Sequence, residues 1–295
     1  MAEAQHVEPA TKVGPWARLP ASVRRVLGAT LLVGVFFGLD KIVALGRQII
    51  IARYYGLNPV LDAYNTANNL PDLLFALISG GALAMAFIPV LTESLNRDGR
   101  AAAWELFSLV ANLAFVITAA AAAIMALFPL LLVQRVVAPG FGLEQQQLVA
   151  ELMRLNLIAT LLFSISGLVM GALQANQHFL LPALAPLLYN VGQIVGVVLL
   201  APRFGIWGLA YGVILGALLH LLIQVPGLVR YGFRWTPRLT VTDPGVRRVL
   251  TLMGPRILTL GLLNLVFTYS DSVGSKAVPA AVPMTVSGSC RISQP

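Results

Sequence analysis

The residues best suited to chemistry sit where charge is hardest to keep. Asp40, Lys41 and Arg47 interrupt an apolar run over 26–54, and Asp62, Asn65, Asn69 and Asp72 punctuate a second run over 62–92, around Pro71. On a helix Asp40 and Arg47 lie nearly two turns apart and share a face, with Lys41 one step around. Steps of three, four and three place Asp62, Asn65, Asn69 and Asp72 on one helical face. A charge inside a membrane span costs at least about 2.5–3.5 kcal/mol on insertion scales, so such groups face a bundle interior or a watery cavity. The chemistry they suit is non-covalent. A guanidinium suits an anion, and the carboxylates of Asp40, Asp62 and Asp72 suit a cation. Two plainer readings stand beside this one. The first span could begin after Arg47, leaving its charges among headgroups. The second stripe could hydrogen-bond between helices with no ligand at all.

Other polar groups fall in or near apolar runs: Arg154 with Asn156, Asn190 with Gln193, His220 with Gln224, and Arg256 behind Pro255. Single groups of this kind are more often satisfied packing groups or interfacial anchors. Arg256, just inside an apolar run, is the strongest of them. Enzyme signatures are missing: the sequence has no GxxxxGK[ST] phosphate loop, HExxH, CxxC or GxSxG. His6, His178 and His220 offer no metal-ligand spacing, and the lone Cys290 excludes an internal disulfide. The sequence therefore predicts neither an enzyme nor a self-powered ATP-driven pump, with no cofactor and no metal.

The elements that position these residues follow from composition. Of 295 residues 58% are hydrophobic and only 11% charged, with mean hydropathy +0.81. A soluble domain carries about 25% charged residues, so this chain cannot cover a globule with polar surface, and lipid is its solvent. Lipid demands that backbone groups pair internally, in helices or a closed barrel. Barrel strands alternate polar and apolar residues, and the run from Leu109 to Val133 does not. The fold expected is all-α, a polytopic transmembrane bundle of about seven spans near 26–54, 62–92, 104–134, 148–174, 179–201, 205–229 and 248–270. The net charge of +8 lies mostly between these runs and so argues for a membrane partner and against nucleic acid. Lys12, Arg18, Arg24 and Arg25 precede the first run, Arg97 and Arg100 follow the second, and Arg230, Arg234, Arg238, Arg247 and Arg248 follow the sixth. That bias predicts a cytoplasmic N-terminus.

Several segments resemble the MurJ/MviN family of lipid II flippases, within the multidrug/oligosaccharidyl-lipid/polysaccharide exporter superfamily. They are KIVALGRQIIIARYYG from Lys41, LDAY at Leu61, NLPDLL at Asn69, AFIPVL at Ala86, APGF at Ala138, GALQANQHFLLPALAPLLYNV from Gly171 and MGPRI at Met253. They occur in family order over about residues 30–270. The resemblance implies one lobe of a two-lobed, fourteen-span transporter of the bacterial cytoplasmic membrane. Such a transporter carries a lipid-linked peptidoglycan precursor between leaflets around a central cationic cavity. By the same resemblance Arg47 matches a cavity arginine, Lys41 stands where an arginine is usual, and Asp62 matches an important acid of the second span. Phe75 and Ala76 replace the basic residue that often follows this leucine-proline motif, and glycine near Gly80 replaces a glutamate.

The organisation expected is a cytoplasmic tail over 1–25, a six-span lobe over 26–229, a basic cytoplasmic loop over 230–247, a seventh span over 248–271 and an irregular tail over 272–295. That last segment, rich in Val, Ala, Pro, Ser and Gly, reads as a disordered terminus or, in the preferred reading, as the product of a truncated or frameshifted gene. Transport would then need a missing C-terminal lobe or a homo-oligomer. Three functions remain open: a flippase for the peptidoglycan precursor, an exporter of another polyprenyl-linked glycan or a cationic solute, and an inactive fragment or scaffold.

Overall fold

A computed structural model of the chain describes residues 21–80 and 82–277. Among the described residues every regular element is a helix, as a chain that pairs its backbone inside lipid requires. α1 spans Ala21–Tyr55 as one unbroken rod of 35 residues, about 50 Å long, so Asp40, Lys41 and Arg47 sit within it. Asn58 opens α2 (Pro59–Leu74): its side chain accepts the Val60 N–H at 2.9 Å, and Pro59 needs no amide partner there. Pro71 lies inside α2, and the helix widens into a π-helical turn over Phe75–Gly80 before α3 (Ala82–Arg97). Gly99, at φ 85°, turns the chain into α4 (Gly99–Leu127). Pro129 then starts the short α5 (Pro129–Leu132), which runs into a π turn over Val133–Val137. The third apolar run is therefore divided at Phe128.

α6 (Leu143–Ala175) packs against α2, α3 and α4, and its buried residues ring the helix and leave no single apolar stripe. α7 (Leu180–Val195), a π turn over Gly196–Leu200 and α8 (Ala201–Phe204) form the next rod. Gly205, at φ 59°, reverses the chain into α9 (Ile206–Leu222) and α10 (Val225–Arg230). α11 (Pro244–Ala277) is capped by Asp243, whose Oδ1 accepts the Val246 N–H at 3.0 Å. Four rods are long and apolar enough to cross a membrane: Gly99–Leu127, Leu143–Ala175, Leu180–Phe204 and Ile206–Arg230. The rods of α1, α2–α3 and α11 fall outside that set, so about seven spans remains the reading of the sequence.

Closest packing joins α7 and α9. A Cβ built on Gly192 would meet Gly216 Cα at 2.4 Å, and one on Gly196 would meet Gly212 Cα at 2.6 Å. One on Gly208 would meet the Ala201 backbone nitrogen at 2.4 Å. The order of these pairs makes the rods antiparallel. Glycine is needed at each because backbone meets backbone, the small-residue packing that joins helices where lipid gives no hydrophobic drive. α1, by contrast, rests mainly on α7, leaving Leu31, Val35, Ile42 and Leu45 exposed.

Two sequence expectations change. α11 continues to Ala277, so residues 272–277 of the expected irregular tail are helical. Residues 278–295, with Cys290, and residues 1–20, with Lys12 and Arg18, lie outside the described residues. The basic loop also narrows. α10 ends at Arg230 and α11 begins at Pro244, and the intervening 231–243 lies along α4.

Candidate functional site

Polar side chains meet where α1, α2, α6 and α7 converge. Asp40 is buried, and its Oδ1 accepts Asn190 Nδ2 at 2.8 Å. Lys41 Nζ lies 3.3 Å from Asp40 Oδ2, but the lysine itself is exposed. Two turns along α1, Arg47 Nη1 donates to Gln193 Oε1 at 2.9 Å, while its Nε is buried with no partner. Both bonds reach α7 in the same chain order, so α1 and α7 run parallel and the shared face of Asp40 and Arg47 is the one turned to α7. That pairing answers the cost of burying them: each has a polar partner rather than lipid.

On α2 the inward polar residue is Asn68. Its Nδ2 donates to the Tyr64 carbonyl at 2.8 Å, and its Oδ1 accepts Asn156 Nδ2 of α6 at 2.9 Å. The stripe read from sequence faces otherwise: Asp62, Asn65 and Asp72 are exposed, and Asn69 is half-buried. Tyr64 of α2 and Tyr189 of α7 pack in one cluster with Ile51 of α1, one turn from Arg47. A guanidinium on α1 and two phenols therefore share one region of the bundle. Arg256 lies on α11, and its side chain is outside the described residues.

A second buried cluster crosses α6 and α9. Ser166 Oγ lies 2.6 Å from His220 Nδ1, and Gln224 Nε2 donates to Ser166 Oγ at 2.9 Å and to the His220 carbonyl at 2.6 Å. Phe163 meets the imidazole edge-on at 5.2 Å. No carboxylate is bonded to this histidine among the described residues, and the three groups tie helices together. Arg154 Nε donates to the Ala126 carbonyl at 3.1 Å from an exposed position, as an anchor between rods. Among the described residues no group of three or more His, Cys, Asp or Glu side chains could hold a metal ion.

Tyr64, Tyr189 and Ser166 drew no notice in the sequence. The tyrosines stand inside LDAY and PLLYNV, and only the tertiary fold brings them into one cluster with α1. The α7–α9 glycines carried a legible signal in the four-residue spacing of Gly192 and Gly196 and of Gly208, Gly212 and Gly216.

A polytopic transmembrane helical bundle with a charged, hydrogen-bonded interior seam is the class this fold and site define. The sequence matches the family described as Lipid II flippase MurJ over residues 51–284, and the chain belongs to that family. It is 30% identical over 263 residues to the lipid II flippase MurJ of Burkholderia cenocepacia, an alignment covering 86% of this chain and 51% of that protein. With the probable lipid II flippase MurJ of a Synechocystis species it shares 27% identity over 286 residues, 92% of this chain and 52% of that one. Its fold matches a solved lipid II flippase MurJ in an inward closed conformation with TM-score 0.70 at 22% identity, covering 84% of this chain and 51% of that structure. The chain spans about half the length of the curated relatives it matches.

Proposed function

We propose that this chain forms one lobe of a transporter, not an enzyme, that moves lipid-linked peptidoglycan precursor across the bacterial cytoplasmic membrane, its N-terminus on the cytoplasmic side. One observation carries the reading: α2 turns Asp62, Asn65 and Asp72 outward from a bundle built for lipid. Carboxylates facing hydrocarbon are costly, so that face calls for water or a second polar lobe. Half the length of the relatives is what one lobe would occupy. Arg47, with Nε unpaired, is the anchor for a pyrophosphate; Lys41 adds charge, Asp62, Asn65, Asn69 and Asp72 line the facing wall, and Arg256 contributes from α11. The partner is the lipid-linked substrate in the membrane, with a C-terminal lobe or a second copy completing the cavity.

A second reading, export of another polyprenyl-linked glycan or a cation, has its own support. Phe75 stands where a basic residue often occurs in the family and packs on Phe163 at 5.2 Å, so this position offers an anion nothing. The test is rescue of a bacterium depleted of its own lipid II flippase. The chain is produced alone and together with the C-terminal half of the Burkholderia relative, each beside an Arg47→Ala version at equal membrane level. Rescue by the unaltered chain in either arm, lost with Arg47→Ala, is the expected result. Equal growth with and without Arg47 removes the anchor, and failure of both arms removes the flippase.

A further inference from the structure

The segment over 231–243 is no free loop. It lies along α4, held by side chains at four-residue steps. Trp104 Nε1 donates to the Tyr231 carbonyl at 3.1 Å, and Ser108 Oγ accepts the Thr236 N–H at 3.2 Å. Asn112 Nδ2 donates to the carbonyls of Thr236 and Arg238 at 2.8 and 2.9 Å. The Phe233 ring sits against Trp104 and Phe107 at 5.4 and 5.2 Å. The strap is thus pinned through its backbone and the two inward-packed rings of Tyr231 and Phe233, over about 12 Å of helix.

Most of its remaining side chains turn outward. Arg230, Arg234, Arg238 and Arg247 are exposed, and Trp235 is 61% exposed although its Nε1 donates to Asn112 Oδ1 at 2.9 Å. Leu239 is exposed beside them. Of the nearby acids, Glu105 lies 3.4 Å from Arg238, and Asp243 is occupied as the cap of α11. One turn beyond Asn112, α4 exposes Phe115, Val116 and Ile117, an apolar surface suited to lipid. The strap therefore lies where the rod changes from polar to apolar surroundings. A tryptophan with its N–H satisfied and its ring bare, between arginines at that level, is the pattern of an interfacial anchor.

We propose that the 231–243 strap, with Arg230 and Arg247 at its two ends, is a docking surface for anionic phospholipid headgroups of the adjacent leaflet. The Arg230 and Arg234 guanidiniums take the phosphate oxygens, and Trp235 and Leu239 enter the glycerol and upper acyl region. The surface sits outside the α1–α2–α7 seam and does not depend on what that seam carries.

The test uses the whole chain in lipid nanodiscs and the fluorescence of Trp235, isolated by subtracting Trp235→Phe. Brominated acyl chains are placed either on phosphatidylglycerol or on phosphatidylcholine, at the same low mole fraction. Quenching by the brominated phosphatidylglycerol should exceed that by the brominated phosphatidylcholine about twofold, and high salt should reduce the difference. The double variant Arg230→Gln/Arg234→Gln should bring the two to equality with unchanged helical circular dichroism, because the strap is held by backbone and not by these side chains. Equal quenching in the unaltered chain overturns the proposal, as does a preference that survives the double variant. No quenching by either lipid places Trp235 in water and overturns it too.

Discussion

Gly192→Ala is the sharpest test of how the bundle is held together. The added methyl would sit 2.4 Å from Gly216 Cα and 2.5 Å from its nitrogen. Carbon atoms rest about 3.5–4.0 Å apart, so the two rods must part by about 1 Å or more. Neither obstacle can rotate away, because both belong to backbone. Overpacking of this kind costs about 1–3 kcal/mol, and a rigid obstacle puts it in the upper part of that range. Alanine returns about 1 kcal/mol of helix propensity, leaving a net loss of about 1–2 kcal/mol. Gly34→Ala is the internal control: nothing lies within 4 Å of its would-be Cβ. Only propensity acts there, and it should stabilise by about 0.5–1 kcal/mol. Denaturant titration of the purified chain should therefore move the two midpoints in opposite directions. In the double variant Gly192→Ala/Gly216→Ala, the second change should cost less than it does alone, because the first has already separated the rods. Equal midpoint shifts for Gly192→Ala and Gly34→Ala would refute the close packing of α7 on α9.

Asn156→Leu removes the α6–α2 bond to Asn68 Oδ1 at 2.9 Å; a loss of about 0.6–1.7 kcal/mol is expected by the same titration, and no change would assign that bond no weight. Arg47→Lys should impair rescue of a flippase-depleted strain nearly as much as Arg47→Ala, since lysine keeps the charge but loses the fork that reaches Gln193 and an anion together. At the end of α3, Glu93 is held below the usual carboxylate range by its hydrogen bond from Arg97 and by the charge of Arg248, whose Nη1 lies 2.6 Å from Oε2. A lowered carboxylate value supplies stability that is present above about pH 4.3 and is lost as pH falls through the folded-state value. Glu93→Gln should flatten that acid limb of a stability–pH curve, and an unchanged limb would show that the tie between α3 and α11 contributes nothing.

Much of the fold was legible because lipid leaves few choices. Low charge and long apolar runs exclude a soluble globule, and the need to pair every backbone group inside hydrocarbon turns those runs into helices. Periodicity placed Asp40 and Arg47 on one face, and both bond to α7. For α2 the same periodicity named a stripe without saying where it points. A helix has the same spacing whichever side its neighbours occupy, and the packing of α6 decides that Asn68 turns inward while Asp62, Asn65 and Asp72 stay exposed.

The 231–243 strap escaped the sequence for a related reason. Its arginines read as a solvated loop, and only contact with Trp104, Ser108 and Asn112, more than a hundred residues earlier, fixes its path. Composition and periodicity are local quantities, so the sequence alone determined the solvent, the helices and the charged faces of α1 and α2. Which faces meet depends on contacts between residues far apart in the chain. The tertiary structure alone therefore decided that Arg47 sits beside Gln193, near Tyr64 and Tyr189, and that the α2 carboxylates look outward from the bundle.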